Sequence, residues 1–340
     1  MKRLVMMVLL LNAWPAHAEE LPRRTSLSDP DCSYRVSEKP YAILMHNGVK
    51  AVVVDNQAVA DTELPAHRAG YSGLAYLGHQ QRTENLFVPS YAGLNFEHIH
   101  DGTKQDRKVL FEPRNAPMQL RLVDEQTVEL YQAPSPHYGL ESCLRYHMFE
   151  DGVLEMTLEC IPRKRAYTHG YIGLFWASYI HQPESLDIHF RGISVEAGGQ
   201  SSELKKPAWI RASSPGHGLL ATHLNVADMR TFKHDQDFPL SLVFNRSRFR
   251  YAQPWYYGVS HQMAWVQMFR PQDQIRLTQS PSGGGKGNPA WDFQYLIPDY
   301  QVDKRYQMVM RGLYVPFESK EQIERVTAAH RQALGILDTP

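Results

Sequence analysis

Apolar and polar positions alternate in short runs over most of this chain, and residues that favour turns separate the runs. Alternation with a period of two is the signature of half-buried strands, because successive side chains in a strand point to opposite faces. The pattern predicts strands at 41–46, 49–54, 74–78, 84–88, 94–100, 107–111, 118–123 and 127–132. Further strands are predicted at 171–181, 186–195, 208–212, 218–224, 240–245, 261–269, 274–279, 291–297 and 305–315. Asn47-Gly48 lies between the first two runs and reads as a two-residue hairpin turn. Asp151-Gly152 lies between the runs 143–150 and 153–160 and reads the same way. Counting outward from that second turn sets Glu150 opposite Val153 and Cys143 opposite Cys160. A Cys143–Cys160 disulfide and two buried thiols both fit that register.

Helical spacing is convincing only near the C-terminus. Ser319 with Gln322 forms a capping box, Ile323, Val326 and Leu334 recur near the helical period, and Gly335 suits the position after the last turn. Many strands joined by turns, with one helix at the end, predict an all-β protein. The expected architecture is a large antiparallel β-sandwich over 41–316, with a helix in 317–340 packed on it. Residues 19–40 are polar and Pro-rich and read as an extended lead-in. The Gly-rich stretch 282–288 lacks Ser or Thr after its Lys, which excludes a phosphate loop; it reads as a mobile rim loop or as plain surface.

The start of the chain changes the expected location. Lys2 and Arg3 precede an apolar run from Leu4 to Leu11, followed by Ala16-His17-Ala18. This is the form of a secretory signal peptide over 1–18, and its apolar run is far shorter than the roughly 20 residues of a spanning helix. The expectation is a periplasmic or secreted protein with no integral membrane segment after cleavage. Lys plus Arg and Asp plus Glu both number 36, so no long-range field draws in nucleic acid, which is not expected as a partner. No nucleotide-binding glycine pattern is present, and no nucleotide cofactor is expected.

Three stretches carry candidate chemistry. In Glu97-His98-Ile99-His100-Asp101, His98 and His100 share one face of a strand, a common way to offer two imidazoles to a divalent metal. Glu97 is the accompanying candidate ligand; the alternative is two half-exposed histidines in a polar cleft. In the stretch 135–147, His137 and Glu141 stand near a turn, and Glu141, Arg145 and His147 share a face. They make a candidate carboxylate, clamp and proton carrier, or a solvated face with cross-strand ion pairs. The third stretch gathers Trp255, Tyr257, His261, Trp291 and Asp292, the mixture of aromatic walls and convergent polar groups that holds sugar rings; otherwise these aromatics are core. His261 is the candidate base or third metal ligand, and His181 is a further candidate at a strand end.

With its strand-end histidines and aromatic clusters, the chain over about 40–316 resembles the galactose-mutarotase-like supersandwich group. That group includes sugar epimerases and the β domains of polysaccharide lyases and glycoside hydrolases. The resemblance implies carbohydrate bound on the concave face of a large sheet, with a His and a carboxylate as acid and base. His181 or His261 would stand for the His, and Glu141 or Asp292 for the carboxylate. The string Glu97-His98-Ile99-His100 is not part of the mutarotase pattern and points to a metal-assisted variant. The expected function is an exported enzyme that cleaves an oligo- or polysaccharide by hydrolysis or elimination. The alternatives are a noncatalytic carbohydrate-binding envelope protein, a sugar epimerase, and a structural envelope protein in which the clusters are all core.

Overall fold

A computed structural model of the chain describes residues 24–195, 206–216, 219–281 and 287–337. The expected leader and Ser282–Lys286 lie outside the described residues. In chain order the first strands are β1 (Arg35–Val36), β2 (Tyr41–His46), β3 (Val49–Val54), β4 (Gly73–His79) and β5 (Asn95–His100). Helices α1 (Arg107–Leu110) and α2 (Glu112–Asn115) follow. Then come β6 (Met118–Leu122), β7 (Thr127–Gln132), β8 (Leu140–Met148), β9 (Leu154–Pro162), β10 (Tyr171–Ala177), β11 (Asp187–Ser194) and β12 (Ala208–Ser213). The rest are β13 (Ala221–Asn225), β14 (Arg246–Tyr251), β15 (Trp255–Ser260), β16 (Met263–Phe269), β17 (Arg276–Ser280), β18 (Ala290–Pro298), β19 (Tyr306–Pro316) and α3 (Lys320–Ala333).

Among the described residues sixteen strands form one sheet in the order β1-β6-β7-β8-β9-β19-β16-β15-β11-β14-β13-β17-β18-β10-β5, with β12 branching from β11. All its pairings are antiparallel except β13 with β14. The sheet folds back on itself. Its main core takes Leu130, Leu144, Met156 and Cys160 from one arm and Ile172, Trp176, Leu277 and Phe293 from the other, with Leu44, Val53 and Leu77 of the small β2-β3-β4 sheet. The expected all-β class with a C-terminal helix is what the chain has. Ser319 caps α3 by accepting from the Gln322 backbone N–H at 3.2 Å, and Gly335 ends it at φ +77°. Ile323 and Leu334 seat α3 against Trp255, Val266 and Val309, on the sheet face away from the main core.

The two expected hairpins differ. His46 pairs with Val49 across Asn47 and Gly48, both at positive φ, which is the two-residue turn expected. The second loop is one residue longer: the Phe149 N–H donates to the Val153 carbonyl at 2.8 Å, and Gly152 takes the left-handed position. The register therefore slips by one, and a slip of one turns side chains to opposite faces. Cys143 lies opposite Glu159 and Cys160 opposite Ser142. No Cys143–Cys160 bond forms, and all three cysteines are free.

Four further expectations are corrected. Residues 107–111 form a helical turn rather than a strand, because Asp106 accepts from the Val109 N–H at 3.0 Å and caps it. Residues 241–244 form a 3₁₀ turn. Residues 84–88 join no strand, although Phe87 bridges Ile180. Strands β14 and β15 were not expected. Arg246, Arg248 and Arg250 mask the alternation of β14 with charge, while β15 is apolar on both faces because α3 covers one and the main core the other.

Candidate functional site

Among the described residues, strand β5 is the last strand of the big sheet and pairs only with β10. His98 lies opposite Phe175 and Phe96 opposite Trp176, so Glu97 is one residue too many for the ladder. Such a bulge re-aims a side chain. It brings the Glu97 carboxylate to within 3.8 Å of His98 Nε2, rather than to the far face expected for an unbroken strand. The outer face of β5 is closed over by α1 and α2, so all six of its residues are buried.

The Glu97 carboxylate has two hydrogen-bond partners drawn from distant parts of the chain. The Tyr179 hydroxyl, just beyond β10, donates to the carboxylate from 2.7 and 2.9 Å of its two oxygens. Arg114, in α2, donates from Nη1 at 3.1 Å and from Nε to the Gly70 carbonyl at 2.6 Å. Its guanidinium lies 4.0 Å from the Tyr71 ring centroid and 4.8 Å from that of Phe111. Tyr71, Tyr91 and Tyr179 close the wall, with centroids 4.6 Å apart for the first two and 4.9 Å for the last two. Glu97 is 5 % exposed, while Tyr71, Tyr91 and Arg114 are half-buried, so the cradle meets solvent through its tyrosines and arginine.

The short helix holding Arg114 is pinned by amides. Asn56 Nδ2 donates to the carbonyls of Pro113, Arg114 and Ala116, and Gln132 Nε2 to those of Pro113 and Ala116. Glu112 accepts from the backbone N–H groups of His137 and Tyr138. The exposed His137 ring takes no part in the cradle.

The electrostatics follow from burial. Desolvation raises the Glu97 carboxyl above its ordinary range, opposed by Tyr179 and Arg114. The Tyr179 hydroxyl is pushed well above its usual value by burial and by the neighbouring Glu97. Burial lowers His98 to about 3. Its Nδ1 lies 3.1 Å from the Leu110 carbonyl, which only accepts, so Nδ1 carries the proton and Nε2 faces Glu97 unprotonated. Asp292 lies on the same sheet face, buried, and accepts from the Ser178 N–H at 3.0 Å and the Ser280 hydroxyl at 3.3 Å. Burial, with Glu97 adding to it, raises its carboxyl well above the usual range.

The expected metal centre is not assembled. His98 has one nitrogen committed to Leu110, Glu97 is held by Tyr179 and Arg114, and His100 is caged by Tyr171, Phe238 and Phe244 with neither ring nitrogen hydrogen-bonded. Among the described residues no group of three His, Cys, Asp or Glu is placed to hold a metal.

The other expected residues fall elsewhere. Trp255 and Trp291 are fully buried and Tyr257 nearly so, so none is an open sugar platform. The Trp291 ring lies close against Gly258 in the main core. Trp255 packs beneath α3, and Tyr257 stacks on His189 at 4.9 Å. Glu141 accepts from the Tyr131 hydroxyl at 2.7 Å and pairs with Arg163 at 2.6 Å, whereas Arg145 pairs with Glu129 at 2.8 Å. These ion pairs belong to the β7-β8-β9 arm. His181 and His261 are brought within electrostatic reach of each other, and His261 Nδ1 lies 3.5 Å from Glu184. Sequence patterning thus reached Glu97, His98 and Asp292 but missed Tyr71, Tyr91, Arg114 and Tyr179. Tyr71 and Tyr91 sit in irregular stretches beside Gly or Ser, and Tyr179 forms a single bridge to Ala290 near the end of an expected strand, so no shared period marks the three as one wall.

No protein-family model and no curated protein sequence matches the chain. Solved structures do. A galactose mutarotase-like protein from Lactobacillus casei ATCC 334 is 9 % identical, with a TM-score of 0.45 over 81 % of this chain and 99 % of its own. The aldose epimerase homologue from C. elegans is 9 % identical, with a TM-score of 0.43 over 84 % of this chain and 100 % of its own. A heparan sulfate lyase from Pedobacter heparinus is 8 % identical, with a TM-score of 0.36 over 83 % of this chain and 37 % of its own.

Proposed function

We propose that this chain is an exported carbohydrate-active enzyme that cleaves an oligo- or polysaccharide at the cradle of Glu97, Tyr179, Arg114, Tyr71 and Tyr91. One observation carries the reading: a desolvated carboxyl, bonded to a tyrosine hydroxyl and an arginine, lies at the back of a half-open tyrosine wall. Aromatic rings pack on the C–H faces of sugars, and pockets with apolar walls and a few convergent polar groups are built for such ligands. A carboxyl held above its ordinary range is suited to give its proton to a glycosidic oxygen. Tyr179 orients it, Arg114 limits how far its affinity for the proton rises, and neutral His98 adds no competing charge. Tyr71 and Tyr91 must swing aside for a sugar to reach Glu97.

The test uses protein recovered outside the cytoplasm, with its N-terminus expected at Glu19. It is screened on a polysaccharide panel for new reducing ends and for unsaturated products, which separate hydrolysis from elimination. Glu97→Gln is expected to cut turnover by about 10²–10⁴-fold, the scale of a lost general acid, and Tyr179→Phe by a smaller factor. Full activity in Glu97→Gln would end the enzymatic reading. A second reading, a noncatalytic sugar-binding protein, is favoured by the hydrogen bonds that already satisfy Glu97. It predicts glycan affinity that survives Glu97→Gln, with no turnover in either protein.

A further inference from the structure

We propose that the exported chain is cut a second time, between Arg24 and Thr25, so that the finished protein begins at Thr25 with its amino group seated on the buried Glu159 carboxylate. This rests on the export reading, which removes residues 1–18 and leaves Glu19 to Arg24 as a remnant of six residues. The remnant ends in Arg23-Arg24, the one pair of adjacent arginines in the sequence and a site for a protease of trypsin-like specificity. The fold draws a boundary at the same bond. Arg24 is exposed, whereas Thr25 is fully buried. Thr25 is also the first residue tied into the fold. Its carbonyl accepts from the Ser28 and Asp29 N–H groups at 3.1 and 3.0 Å, and its hydroxyl accepts from the Leu27 N–H at 3.2 Å.

Glu159, on β9, is fully buried beneath this turn. Its Oε2 accepts from the Thr25 N–H at 3.1 Å, the Thr25 hydroxyl at 2.9 Å and the Ser28 hydroxyl at 2.6 Å. A buried carboxylate is costly unless a cation stands close to it. The second buried glutamate under the turn has one: Arg145 lies 2.8 Å from Glu129, with only 15 % of its side chain exposed. The cation at Glu159 is Arg305, 3.3 Å away on the other oxygen, with 41 % of its side chain exposed. The nitrogen that touches Oε2 is the backbone nitrogen of residue 25, and it becomes an ammonium when the chain starts there. Hydrolysis achieves this without moving it. Water adds across the Arg24–Thr25 amide, Arg24 departs with the new carboxylate, and Thr25 keeps the nitrogen as an amine, which takes up a proton near neutral pH. The hydrogen bond to Glu159 is then charge-assisted at both ends, roughly twice as strong as a neutral one. Thr25 is hidden once the turn is seated, so the cut is made before seating, and the seated ammonium then holds the turn down.

The experiment isolates the protein from the cells that naturally make it and reads its intact mass and N-terminal sequence. A start at Thr25 is expected. A start at Glu19 would overturn the second cut and leave export standing, a start at Met1 would overturn both, and any other start would overturn the cut at Arg24. Chains beginning at Glu19 and at Thr25 are then compared by urea unfolding, each with and without Glu159→Gln. At pH 6 the Thr25 form is expected to have a folding constant about tenfold larger. An amino group ordinarily titrates at about 7.7–8.0, and the carboxylate beside it raises that value in the folded chain. The gain is therefore full below pH ~7.7 and is lost as pH rises through the raised value, so the two forms should draw together toward pH 10. In the Glu159→Gln background the difference should vanish; if that variant does not fold, the pH series on the native residues decides alone. Equal urea midpoints of the two forms across the whole pH range would overturn the ammonium's role.

Discussion

At the scale of single residues, the fully buried His100 gives a direct test. Its ring is shut among Tyr171, Phe238 and Phe244, lies flush on Gly173, and has no hydrogen bond at either nitrogen. A buried polar group without a partner costs about 1–3 kcal/mol. Burial lowers both His100 and His98 from an ordinary 6.5 to about 3. The sign follows from the depressed value: the unfolded chain takes up protons that the folded chain refuses. Stability from these groups is thus full above pH 6.5 and falls as pH drops from there toward 3. Replacing His100 with Leu is expected to raise stability at pH 5 by more than at pH 7.5, as read from urea midpoints at the two values. An equal shift at both would mean that His100 does not titrate as its cage dictates.

At the scale of elements, the lead-in proves to be a clasp rather than a mere extended approach. The Thr25 backbone N–H and hydroxyl and the Ser28 hydroxyl donate to Glu159, and Ser26 donates to Glu129. Both glutamates are fully buried on the outer face of β7 and β9. Arg145 also reaches Glu129, and Arg305 reaches Glu159 at 3.3 Å, so each carboxylate needs both a cation and the clasp's hydroxyls. A chain beginning at Cys32 should lose about 2–4 kcal/mol of stability by the cost of unsatisfied buried acceptors, measured by urea unfolding. A loss under ~0.5 kcal/mol would mean that water replaces the clasp freely.

Across the whole molecule, the two arms of one long sheet share a single core, and glycines set how closely large rings approach the backbone. A Cβ on Gly258 would run into Trp291, and one on Gly312 into Trp265. Both rings are fully buried and have no room to turn. Gly258→Ala is therefore expected to destabilise by about 1–3 kcal/mol, the cost of overpacking, and to shift Trp fluorescence. Unchanged stability would show that the arms can part to absorb a methyl group. This packing also explains why aromatic richness misled about the site. A sheet covered on both faces needs large side chains on both, so Trp255, Tyr257 and Trp291 fill interior space instead of facing a sugar.

The sequence by itself determined what depends on neighbours in the chain. Alternation set most of the strands, Asn47-Gly48 set its turn, and Ser319 and Gly335 set the ends of α3, because period, turn chemistry and caps are local. It also marked Glu97 and His98 as unusual. Only the tertiary structure decided what depends on register and covering. One extra loop residue after Phe149 turned Cys143 away from Cys160, and one bulge at Glu97 swung its carboxylate toward Tyr179 and Arg114. The cradle joins residues 71, 91, 97, 114 and 179. No local pattern encodes such a meeting, because burial and charge there are set by segments far apart in the chain.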